Sequence, residues 1–152
     1  MREERKVSDL DGDYDHDNIF AKIVRGDAPA AKVFEDHDTL AFMDVFPQGP
    51  GHVLVIHKRA HARNLLDVAP EPLQATILTV QRLARAVRVA LKPDGVFVAQ
   101  FNGSVAGQTV YHLHFHVIPR WEGVPLGRHA GPGMADMAEL QKLAEEIALE
   151  IS

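Results

Sequence analysis

The sequence contains no cysteine. Disulfides, thiolate metal ligands and cysteine nucleophiles are therefore excluded. It also has no apolar run near the roughly 20 residues that span a bilayer, and its N-terminus is acidic and polar, unlike a secretory leader. A soluble cytoplasmic protein with no membrane partner is the expectation. Net positive charge is missing as well. The 152 residues carry −5 with histidine neutral, and residues 1–17, with three basic against seven acidic side chains, hold −4 of it. The remainder is near neutral, so a large basic groove for nucleic acid is not favoured. A small phosphate ligand needs only a local site and is not excluded by these totals.

What is present suits one globular domain. The length is that of a single domain, and an apolar share of 46% supports a core. Residues 1–16 read as a flexible acidic lead, and 17–152 as the domain. Asp17-Asn18 offers an N-cap for a short helix from Ile19 to Arg25, ended by Gly26. Strands are predicted near Lys32–Glu35, Thr39–Asp44, Val53–Ile56 and Val96–Phe101, with Asp36-His37-Asp38 as a hairpin turn. A helix over 70–91 carries a stripe of Leu73, Ile77, Val80, Ala84, Val87 and Leu91. Residues 121–133 are irregular, and a last helix near Met134–Ile151 buries Met137, Leu140, Leu143 and Ile147. About five strands joined by hairpins, with two main helices, predict an α+β domain built on an antiparallel sheet.

The most informative stretch is Tyr111 to Arg120, YHLHFHVIPR. His112, His114 and His116 alternate with Leu113, Phe115 and Val117. In a strand, alternate residues share a face, so the three imidazoles fall on one side and the apolar residues on the other. Three readings compete. The histidines could be a satisfied structural cluster. They could bind zinc with an open coordination position, as in some hydrolases. Or they could perform nucleophilic catalysis at phosphorus, one imidazole attacking and a second serving the leaving group. The loop just upstream, Asn102 to Thr109, is rich in small residues and hydrogen-bond donors. Its glycines allow backbone N–H groups to approach a phosphate closely.

With those residues in view, His112-Leu-His114-Phe-His116-Val-Ile118 resembles the signature of the histidine triad (HIT) family. Asn18-Ile-Phe-Ala-Lys-Ile-Val-Arg-Gly26, Leu40-Ala-Phe-Met-Asp-Val-Phe-Pro47 and Gly51-His-Val-Leu-Val-Ile-His-Lys58 extend the resemblance to about residues 17–120. It is similar to the Hint-like and bacterial members. The resemblance implies a HIT-like fold, a homodimer, no cofactor, and hydrolysis of purine nucleoside 5′-phosphoramidates through a covalent nucleotidyl-histidine. Gly107-Gln-Thr109 is also compatible with dinucleoside polyphosphate hydrolases of the Fhit type, and a nucleotide-binding scaffold with little turnover is a third outcome.

Carried over position by position, His114 would be the nucleophile, His116 would contact the phosphate and aid the leaving group, and His112 and His52 would support them. Asn102, Gly107, Gln108 and Thr109 would hold the α-phosphate. Asp44 would accept from the ribose hydroxyls, and Ile19, Phe20, Ile23, Phe42 and Val45 would line a purine slot. The nucleotidyltransferase branch has glutamine at the position of His116, so histidine there favours water as the final acceptor. Many bacterial relatives carry two cysteines in the first helix that bind a structural zinc with two histidines. Asn18 and Ala21 stand at those positions here. His61 and His112 remain as candidate ligands, but no structural zinc is expected. His57 and His61 read as plain surface, and Trp121 and His129 as a region that shapes leaving-group specificity.

Overall fold

The computed structural model describes residues 9–127 and 133–152. Among them, helix α1 (Ile19–Val24) is followed by strands β1 (Lys32–Glu35), β2 (Thr39–Met43) and β3 (Val53–His57). Helix α2 (Pro70–Leu91), β4 (Gly95–Ala99), a 3-10 turn at Ser104–Ala106, β5 (His114–Arg120) and α3 (Met137–Ala148) complete the order. The strands form one antiparallel sheet in the order β1-β2-β3-β5-β4. This is the expected α+β architecture. His129 lies outside the described residues, as do positions 1–8 of the N-terminal lead. No helix among the described residues is long and apolar enough to cross a membrane.

Alternation divides the sheet into two buried faces. Val53, Val55, Ala41, Met43, Phe115 and Val117 pack against Val80, Leu83 and Val87 of α2 and Leu140, Ala144 and Ile147 of α3. Leu40, Phe42, Leu54 and Ile56 face the other way and meet Phe20 and Ile23 of α1. The register pairs His114 with Ile56 and His116 with Leu54. Both imidazoles therefore stand on the α1 face, and the layer of α2 and α3 closes the opposite face.

Local chemistry explains the elements and the departures from expectation. Asn18 caps α1, its side-chain oxygen accepting from Phe20 N and Ala21 N at 3.0 Å each. Helix α2 starts at Pro70 and ends at Lys92 in the left-handed conformation. Its buried face is rotated from the apolar stripe. Ile77 is exposed, whereas Thr76 and Thr79 are buried. Those hydroxyls are satisfied, Thr76 by the Pro72 carbonyl and Thr79 by Thr39 of β2 at 2.7 Å. Strand β5 begins at His114, not near Tyr111, so His112 belongs to the approach and not to the ladder. Met137, expected in the core, is partly exposed. His57, expected on the surface, is buried and accepts from Arg59 N and Ala60 N through Nδ1.

Part of the expected N-terminal lead falls among the described residues. Residues 9–16 dock on the body of the domain. Arg63 donates to the carbonyls of Asp9 and Asp13, and Asn64 donates to that of Leu10. These bonds tie the segment down, where the density of aspartates alone suggested a solvated tail.

Two consequences can be measured. Gly51 sits at φ 78°, and a Cβ there would lie 2.4 Å from Leu91 Cδ1 and 2.9 Å from Pro119 Cγ. Gly51→Ala is expected to lower unfolding stability by about 2 kcal/mol through strain and overpacking, read from urea denaturation. His112 is buried, and desolvation pulls its pKa from 6.5 down to about 4, against the partial support of the His57 carbonyl. The unfolded chain then binds more protons between those values, so stability falls as pH drops from 6.5 toward 4 and levels off below. The loss expected is about 3 kcal/mol. Denaturant midpoints at pH 7 and pH 4.5 check it, and His112→Gln should flatten the profile.

Candidate active site

The site forms where α1 packs over β5. Phe20 of α1 sets its ring edge-on to His114 with centroids 4.9 Å apart, and Phe101 flanks His116 at 5.2 Å. His114 and His116 lie 5.0 Å apart. Each histidine is almost fully buried, so the partner of each nitrogen decides what the ring can do.

Those partners assign the protons. His114 Nδ1 lies 2.7 Å from the carbonyl of His112. A carbonyl only accepts, so Nδ1 carries a proton, and in the neutral ring Nε2 keeps its lone pair. His112 Nε2 faces the His57 carbonyl at 3.0 Å, so it too donates, and its Nδ1 is the acceptor. The hydroxyl of Tyr14 stands 2.6 Å from that Nδ1 and donates to it. Around His116 the order is reversed. Gln48 N–H donates to His52 Nδ1 at 3.1 Å, which leaves the His52 proton on Nε2. His52 Nε2 lies 2.9 Å from His116 Nδ1 and 3.5 Å from Asp44 Oδ2. His116 Nδ1 therefore accepts, and its Nε2 carries hydrogen. The fold has placed a lone pair on one neighbouring imidazole and an N–H on the other.

A cavity of about 320 Å³ opens onto this pair. His114, His116, Asp44 and Thr109 line it together with Ile19, Phe20, Ile23, Phe42 and Val45. The structure thus brings most of the expected residues into one place. Asp44 is held by Phe46 N–H, which donates to Oδ1 at 2.8 Å. Leu54, Val110, Met134 and Met137 also line the cavity. Neither methionine is a site candidate in the sequence, where Met137 belongs to the predicted core stripe of the last helix.

In the loop from Asn102 to Thr109, side chains are bonded within the protein. Gln108 is buried, its Oε1 accepting from Gly103 N and its Nε2 donating to the carbonyls of Arg63 and Val110. Its amide braces the loop. Asn102 Oδ1 accepts from Leu65 N and from Gln100 Nε2, while its Nδ2 donates to Gln100 Oε1. Gly107 closes the 3-10 turn at φ 108°. Neither Asn102, Gly107 nor Gln108 lines the cavity, whereas the exposed Thr109 does.

His112 and His52 stand behind the two lining histidines. His112 borders a separate cavity with Tyr14, His16, Ala21 and His61. Tyr14 stacks on His61 with ring centroids 5.0 Å apart and planes 13° from parallel. The position that would need a cysteine is Ala21, and Asn18 is spent on capping α1. Among the described residues, Asp44, His52 and His116 bring three potential metal-ligand atoms within 4.8 Å of one another. His52 and His116 are also joined by a hydrogen bond between Nε2 and Nδ1. Tyr14 is the functional candidate the sequence concealed. Its only local signal is a lone aromatic ring in a run of aspartates.

Comparison with known proteins agrees with this geometry. The profile of the HIT domain matches residues 25–123. Protein hit of Bacillus subtilis is 43% identical over 103 residues, covering 68% of this chain and 70% of its own. The adenosine 5′-monophosphoramidase of Schizosaccharomyces pombe is 37% identical over 136 residues, covering 88% of this chain and 97% of its own. The crystal structure of a HIT-like protein involved in cell-cycle regulation from Bartonella henselae superposes with a TM-score of 0.84 at 46% identity. That match covers 91% of this chain and 99% of the other. Alternating histidines on β5, the five-stranded sheet and these likenesses meet in one conclusion: the chain belongs to the histidine triad family.

Proposed function

We propose that this protein hydrolyses purine nucleoside 5′-phosphoramidates, conjugates of a nucleotide with an amine. As a HIT-family protein it falls among nucleotide hydrolases and transferases. The observation that carries the finer reading is the opposed proton placement on His114 and His116. The phosphoramidase activity of the S. pombe relative supports the substrate class.

In this mechanism the apolar cavity takes the base, and Asp44, an acceptor-only carboxylate, takes the ribose hydroxyls. His114 Nε2 attacks the α-phosphorus with its lone pair. A P–N bond to histidine forms as the P–N bond to the substrate amine breaks, and the amine leaves with a proton that its own basicity draws from solvent. The positive charge that develops on the His114 ring is met by the His112 carbonyl at Nδ1. His116 Nε2–H donates to a phosphoryl oxygen, and Thr109 adds a hydroxyl. Water then attacks phosphorus, releases the nucleoside monophosphate, returns the electron pair to His114 Nε2 and gives its proton to solvent. His52 and Gln48 fix the tautomer of His116, and Gln108 shapes the loop without touching phosphate.

We further propose a homodimer built on β4. That strand forms an edge of the sheet, and Phe97 and Val98 on it are 43% and 45% exposed. An open edge carrying such side chains suits pairing with a second copy. Sedimentation equilibrium is expected to give twice the 16.8 kDa chain mass, and a monomer mass would overturn the dimer.

Hydrolysis of adenosine 5′-phosphoramidate, with chelator present and beside diadenosine tetraphosphate, tests the reaction. Wild type should turn over the phosphoramidate, His114→Ala should fall to background, and His116→Ala should lose about 10²-fold. Cleavage of the polyphosphate alone would replace the substrate class. Binding without turnover, unaffected by His114→Ala, would remove the enzyme reading.

A further inference from the structure

The N-terminal segment is more than a covering. Asp9 accepts from Ser104 N at 3.0 Å and from the Tyr111 hydroxyl. Hydrogen bonds from Ser104, then Tyr111, hold its carboxyl down at about 2, so the anchor stays charged through the neutral range. The cation of Arg63 sits 4.6 Å over the Tyr111 ring and donates to the carbonyls of Asp9 and Asp13. On the far side of Tyr14, Asn18 donates to the Asp15 carbonyl and Arg25 to that of His16. Tyr14 is thus held from both sides of the chain, and its ring is further fixed against His61.

From this arrangement we infer that Tyr14 is a positioning residue: its hydroxyl, donating to His112 Nδ1, fixes the residue whose backbone carbonyl sets the reactive nitrogen of His114. The direction of the bond follows by elimination. His112 Nε2 faces a carbonyl and must donate, so Nδ1 has no proton to offer and Tyr14 must supply one. The phenol keeps that proton, since burial raises its pKa above 10. With both nitrogens of His112 committed, the ring cannot turn, and the carbonyl of the same residue stays 2.7 Å from His114 Nδ1. Loss of the hydroxyl would leave a buried acceptor with no donor among the described residues, which favours ring reorientation. Histidines that must present one chosen nitrogen are commonly held this way, through the other.

The catalytic part of this inference rests on the proposed reaction, so its test reads the free enzyme first. In ¹⁵N-labelled wild type, His112 is expected as the Nε2–H tautomer with a hydrogen-bonded Nδ1, and His114 as the Nδ1–H tautomer. An Nδ1–H tautomer at His112 overturns the proposal without any variant. Tyr14→Phe keeps the ring stack and removes only the hydroxyl. The His112 Nδ1 resonance should then move to that of an unbonded nitrogen, and the His114 tautomers should mix. On adenosine 5′-phosphoramidate, kcat should fall about tenfold with KM within twofold. Unmoved resonances, or a raised KM with kcat intact, would leave Tyr14 a structural residue and overturn the inference. If wild type does not turn over this substrate, the proposed reaction fails on its own, while the resonances still decide the role of Tyr14.

Discussion

The 2.7 Å hydrogen bond between His114 Nδ1 and the His112 carbonyl is the constraint on which the site depends. A free imidazole exchanges its proton between two nitrogens, and a nucleophile must present the bare one. Here a backbone group two residues upstream makes the choice. Residue 112 precedes the ladder, which begins at His114. The late start of β5, a departure from the simple period-2 reading, leaves the group that directs His114 outside the strand.

The rest of the fold maintains that geometry. Pairing of β5 with β3 on one side and β4 on the other fixes the height of His114 and His116 on the sheet. Helices α2 and α3 fill the opposite face, so Phe115 and Val117 cannot exchange places with the histidines without exposing the main core. Helix α1 supplies Phe20 against His114 and the apolar wall of the cavity. The dry surroundings keep His112 uncharged near neutral pH and strengthen each hydrogen bond of the relay.

Much of this was legible in the sequence because it depends on period and on type. Alternation over residues 112–117 located the site strand, and a 22-residue helical pattern located α2. Asn18 announced the start of α1. What escaped has a common cause, since it depends on partners distant in the chain. The buried face of α2 rotates because Thr79 meets Thr39, 40 residues away. Gln108 turns inward because the carbonyl of Arg63 is there to receive it. His57 is buried by packing that its basic neighbours disguise. Tyr14 meets His112 across 98 positions, and nothing in its acidic surroundings suggests a buried partner.

The assignment of protons in this site is made largely by main-chain groups: Gln48 N–H, the His57 carbonyl and the His112 carbonyl. Main-chain groups are not altered by ordinary substitution. The side chain at Gln48 can therefore drift through evolution while the amide it hangs from continues to polarise His52. Such a site is robust to mutation where it is directed and sensitive where it is supported. Its most vulnerable points are bends and close contacts that hold the backbone in place, such as Gly51 under Leu91 and Pro119. In a lineage of such chains, inherited change would be filtered more strictly at those quiet structural positions than at several residues bordering the reaction itself.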